Sequence, residues 1–92
     1  MAKFLTRVEL HSATGADYDR LHVEMAKQKF SRTIPADDGN RYQLPTAEYY
    51  SQGDLTVEAV RQLADVAIAA TGKSAWVISV RWDMASWRLA KA

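Results

Sequence analysis

The chain has 92 residues, 48% of them hydrophobic and 25% charged, which allows one domain with a modest core and excludes an intrinsically disordered chain. Twelve Lys and Arg against eleven Asp and Glu leave a net charge of +1, so function does not rest on overall basicity, although a local basic patch stays compatible with it. The absence of cysteine excludes disulfides, thiolate metal sites and a thiol nucleophile.

No apolar run approaches the roughly 18 residues of a membrane span, and no basic-then-apolar leader opens the chain. The expected location is the cytoplasm, with no membrane partner. The elements then follow in chain order. From Lys3 to His11, Phe4, Val8 and Leu10 alternate with Leu5, Arg7, Glu9 and His11, the period of two of a half-buried strand. Thr14-Gly15-Ala16-Asp17 fits a capping box, and Tyr18, Leu21 and Met25 continue at helical spacing to about Gln28. His22 lies beside that stripe as a helix-flank residue.

Phe30 to Pro35 reads as a second strand, closed by a turn at Asp37-Asp38-Gly39-Asn40. Arg41 to Tyr50 returns as a third, with Tyr42 and Leu44 on one face. Pro45 interrupts it, because proline cannot donate to a ladder, and so predicts a bulge or a sheet edge. Asp54 or Thr56 can cap a second helix whose face carries Val57, Val60, Ala64, Ala67, Ile68 and Thr71, and Gly72 ends it. Ser74 to Trp82 is the last strand, with Trp76, Ile78, Val80 and Trp82 on one side and Val77, Ser79 and Arg81 on the other. Residues 83–92 hold Trp87 but no firm pattern and read as a C-terminal tail.

This order predicts one α+β domain over residues 1–92 with ferredoxin-like β-α-β-β-α-β topology: a four-stranded antiparallel sheet, two helices on one face and the other face open. An open face in so small a chain must be polar, bind a ligand or pair with another copy.

Three constellations carry candidate chemistry. His11 ends the first strand on the side of Arg7 and Glu9, where it can transfer a proton to a substrate laid across the sheet; the plain alternative is a surface histidine. Arg7, Arg32 and Arg81 fall on three predicted strands and, if they share the open face, form a phosphate-binding strip. Cross-strand pairing with Glu9 and Glu48 is the alternative there. Tyr42, Tyr49, Tyr50, Trp76, Trp82 and Trp87 crowd the second half, where strand aromatics can stack the bases of single-stranded RNA. The signature of a standard RNA-recognition motif is absent, and Trp76 and Trp82 are expected in a core or a dimer interface. Two histidines without metal-ligand spacing predict no metal site, and no cofactor is expected.

Thr6-Arg7-Val8-Glu9-Leu10-His11, Phe30-Ser31-Arg32-Thr33-Ile34 and Tyr42-Gln43-Leu44-Pro45-Thr46-Ala47-Glu48-Tyr49 together resemble a family of small bacterial and phage proteins grouped with the type V antitoxin endoribonuclease GhoS. The resemblance spans residues 3–82. It implies a ferredoxin-like fold similar to the CRISPR-associated Cas2 nucleases, and cleavage of single-stranded messenger RNA in a toxin–antitoxin system. Cas2 proteins carry a metal-linked aspartate near the end of the first strand, where this chain has Leu10-His11. The expected chemistry is therefore metal-independent, with His11 and Arg32 catalytic and Arg7, Arg81, Tyr42 and Tyr50 holding RNA. A homodimer is the expected assembly. The alternative is a non-catalytic module that binds a protein partner, or its own twin, through the open face.

Overall fold

Alternation along the first strand decides which way the sheet faces. In the computed structural model, which describes residues 1–92, β1 (Ala2–Leu10) buries Phe4, Thr6, Val8 and Leu10 on one side and turns Leu5, Arg7 and Glu9 to the other. β1 is the central strand of a three-stranded antiparallel sheet, between β4 (Glu48–Gly53) and β5 (Ala75–Trp82). Register fixes the faces: Arg7 lies opposite Glu48 on one side and Ile78 on the other, and Glu9 lies opposite Trp76.

Both helices cover the Phe4 face. Helix α1 (Gly15–Lys27) starts with the expected capping box, Thr14 accepting from the Asp17 N–H while Asp17 accepts from the Thr14 N–H at 2.8 Å. Helix α2 (Val57–Thr71) is capped by Thr56, which accepts from the Ala59 N–H at 3.1 Å. It ends at Gly72 in the left-handed conformation at φ 74°, which glycine adopts without steric cost. Leu21 and Met25 of α1 and Val60, Ala64, Ala67 and Ile68 of α2 join Phe4, Val8, Leu10 and Tyr49 in the main core. Neither helix is long and apolar enough to cross a membrane.

The expected four-stranded sheet is corrected to three strands plus a separate hairpin of β2 (Thr33–Pro35) and β3 (Arg41–Gln43). The returning segment is split at Pro45: the Glu48 N–H closes a turn on the Pro45 carbonyl at 3.1 Å, and Ala47 sits at φ 62°. What is left of a fourth sheet position is one bridge. Ser31 and Tyr50 exchange backbone hydrogen bonds of 2.8 and 2.7 Å, after which the chain departs to form the hairpin. The Asp37–Asn40 turn forms as expected, with Gly39 at φ 87° and the Asn40 N–H on Asp38 Oδ1 at 2.9 Å.

The face away from the helices is only half open, a second correction. The hairpin folds back across it and buries Ile34, Leu44 and Tyr50 against Leu5 and Trp82. The C-terminal tail, patternless in sequence, runs antiparallel beside β3, with the Gln43 N–H on the Ala90 carbonyl at 2.8 Å and the Ala92 N–H on the Arg41 carbonyl at 3.0 Å. Trp87 and Leu89 close this second cluster, the Trp87 ring lying 5.7 Å from that of Tyr42.

Candidate functional site

The uncovered half of the second face is where side chains stand free. Arg7 and Glu9 of β1 lie beside Trp76 and Ile78 of β5, and with Val77 these residues line a shallow cleft. Trp76 is 71% exposed, Ile78 61% and Val80 42%, an alternation that puts three large apolar side chains on one strand face in water. The guanidinium of Arg7 has no carboxylate within 4 Å, so its charge is uncommitted. His11 stands at the end of this row. Its imidazole meets Trp76 edge-on with ring centroids 5.0 Å apart, and its Nδ1 pairs with Ser74 Oγ at 3.3 Å. That leaves Nε2 as the ring nitrogen free to act on a bound molecule.

The predicted site residues do not gather on this face. Arg81 pairs with Phe4 and so belongs to the helix side, where the sequence alternation with Trp82 already put it. Arg32 follows Ser31, whose bridge to Tyr50 turns the next residue to the helix side; there its charge acts on His22 and Tyr49. Arg7, Arg32 and Arg81 therefore form no common strip, and His11 and Arg32 lie on opposite faces. Tyr50 is buried beneath the hairpin with its hydroxyl on Gln52 Oε1 at 2.8 Å, and Tyr42 packs on Trp87. Neither lies on the uncovered half of the face, which carries Arg7 and His11 in the open. Trp76 is the functional candidate that sequence reading gave to a core or an interface; its alternation with Val77 was the available signal.

A second polar constellation was not anticipated. His22 Nδ1 lies 2.7 Å from the hydroxyl of Tyr49, a fully buried tyrosine. Burial pushes the phenol far above its ordinary value, with Arg32 opposing, so Tyr49 stays protonated, and the His22 tautomer sets which of the pair donates. Burial and then the Arg32 charge lower the His22 pKa below the usual 6.5, while Asp19 raises it. No group of three His, Asp or Glu side chains is placed to hold a metal ion.

The direction of the His22 shift sets a pH dependence. Well above pH 6.5 His22 is neutral folded and unfolded and contributes nothing to the balance. As pH falls below 6.5 the unfolded chain takes up the proton first, so stability is lost until pH passes below the folded pKa. The unfolding midpoint in urea is expected to be lower near pH 5 than near pH 7.5, and His22→Gln is expected to remove most of that difference. Asp17, Glu24 and Asp38 also lose stabilising interactions in acid. They are held low by the Thr14 backbone N–H, by Lys27 and by the Asn40 backbone N–H respectively, so their loss sets in as pH falls through about 4.5 for Glu24 and about 3.8 for the two aspartates, below the His22 range. An equal slope in wild type and His22→Gln would place the titrating group elsewhere.

Comparison of the chain with protein-family models, with curated proteins and with solved structures finds no match.

Proposed function

We propose that the protein is a small RNA-acting protein of the GhoS-like kind, which holds single-stranded RNA on the uncovered half of its sheet. The observation that carries this is the exposed indole of Trp76 with Arg7 and His11 on the same face. A base stacks on such an indole at a gain of about 1–3 kcal/mol, and a free guanidinium takes a phosphate in bidentate fashion. The fold proposed with it is ferredoxin-like: the bridge at Ser31 occupies the place of a shortened outer strand beside β4, and the hairpin and tail are additions that cap half the face.

Arg7 lies on β1 and His11 is the first residue after it, four positions on and about 14 Å away at 3.4 Å per extended residue, so they address different phosphates. Cleavage in this site belongs to His11 alone. Its Nε2 takes the proton of a ribose 2′-OH, the oxygen attacks the adjacent phosphorus as the P–O5′ bond breaks, the 5′-oxygen takes a proton from water and leaves a 2′,3′-cyclic phosphate behind it, and the imidazolium returns its proton to solvent. Fluorescence anisotropy with labelled single-stranded RNA tests the binding. Trp76→Ala is expected to weaken it by about 5- to 150-fold, and Arg7→Ala to weaken it and flatten its salt dependence. On gels, cleavage is expected to survive EDTA and to vanish in His11→Ala. RNA that stays unbound at low salt sinks the proposal.

A second function is favoured by Ile78 and Val80, whose exposed side chains contribute nothing to phosphate binding. In it the same face is a non-catalytic protein-interaction surface, and RNA stays unbound in every lane.

A further inference from the structure

The free surface continues past the side chains to the backbone of β5. This strand closes its side of the sheet: it pairs only with β1, and no backbone hydrogen bond outside the regular elements involves residues 75–82. Every second residue of this eight-residue strand therefore directs an unpaired N–H and C=O outward. Soluble domains usually blunt such an edge with proline, a bulge, lysines or a covering loop. β5 has none of these; its sequence AWVISVRW carries one charge, Arg81, near its end.

We infer that β5 pairs antiparallel with β5 of a second copy of this chain across a two-fold axis near Ile78, joining two three-stranded sheets into one. Three features select a second copy over an unrelated strand. Trp76, Ile78 and Val80 share one face, and a two-fold at Ile78 sets Trp76 against the partner's Val80 and Ile78 against the partner's Ile78. The exposed apolar row is then complementary to itself, as an isologous contact requires. The same register puts Arg81 opposite the partner's Ala75, so the one strand charge avoids its own copy.

The third feature lies on the helix side of the edge, where Val57, Glu58 and Arg61 of α2 flank Val77, Ile78 and Ser79 in a groove. Glu58 and Arg61 are one helical turn apart, and the two-fold sets Glu58 toward the partner's Arg61 and Arg61 toward the partner's Glu58. Charge complementarity is thus built into the sequence of a single chain. Arg61 also bonds Asp65 of its own helix at 2.8 Å, so in the pair its guanidinium is shared between that carboxylate and the partner's Glu58.

This inference makes the interaction function of the face specific and rests on it, not on RNA. Its test contains no RNA, so a monomer would leave RNA binding standing, and absent RNA binding would leave the dimer standing. Sedimentation of wild type over a dilution series is expected to give twice the chain mass at high concentration and the chain mass at low. Ile78→Lys and Ile78→Glu each place like charges together on the axis, and each is expected to raise the dissociation constant at least about tenfold. An equimolar mixture of the two variants is expected to restore association, because lysine then faces glutamate. Ile78 is exposed, so both variants keep the fold, which circular dichroism checks. A wild type that is monomeric throughout, single variants that associate like wild type, or a mixture no tighter than either variant alone would each overturn the pairing.

Discussion

Replacing Trp87 by alanine is expected to lower the melting temperature by about 8–16 °C. Trp87 is half-buried and closes the cluster of Ile34, Leu44 and Tyr50, packing on Tyr42 beside Leu89. Truncating a fully buried tryptophan costs about 3–5 kcal/mol, and half that burial gives about 2 kcal/mol. For a chain of this size each kcal/mol shifts the melting temperature by about 4–8 °C. The loss has a location as well as a size. The tail is tied to β3 by two backbone hydrogen bonds, so without its anchor it frays, and the β2–β3 hairpin loses the layer above it. Hydrogen exchange is therefore expected to speed up at Arg41–Gln43 and leave β1 protected. An unchanged melting temperature would show that the hairpin holds itself to the sheet without the tail.

That anchor illustrates what the sequence shows and what it conceals. Features set by neighbours in the chain were legible: the Thr14–Asp17 capping box, the Gly72 stop, the turn around Gly39 and the break at Pro45 each rest on local sterics or local hydrogen bonds. The two faces of β1 and β5 were legible too, because alternation is a local property, and it had already separated Arg81 from Trp76.

Long-range pairing was not. Which residue of the second segment faces Tyr50 depends on a partner distant in the chain, and the choice of Ser31 puts Arg32 on the side of His22 instead of the open face. The tail carries only Trp87 and Leu89 in alternation, too short a run to mark a strand until β3 lies beside it. The candidate site suffered accordingly. Arg7 on β1 and His11 just past its end kept their face, whereas Tyr50 was covered by the hairpin and Tyr42 was carried into it by contacts distant in the chain.

Tyr49 is the position where a single substitution is expected to cost most. It is fully buried, packs edge-on to Phe30 at 6.4 Å between ring centroids, and belongs to the main core with residues of β1 and both helices. Tyr49→Ala removes the ring and leaves a cavity, at about 3–5 kcal/mol, against a total stability of about 5–14 kcal/mol for a chain of this length. Tyr49→Phe keeps the ring and deletes only the hydroxyl on His22, so about 0.5–1.5 kcal/mol is expected. His22 is partly exposed and its Nδ1 can turn to water, which holds that loss at the low end. The two variants divide packing from hydrogen bonding at one position, read as urea midpoints with unchanged slope. Their pH dependence adds a second division. Burial is the main cause of the lowered His22 pKa, with Arg32 next, and Tyr49→Phe disturbs neither. The loss of stability below pH 6.5 is therefore expected to persist in Tyr49→Phe and to disappear in His22→Gln. If it disappeared in both, the Tyr49 hydroxyl rather than burial would be what keeps His22 neutral.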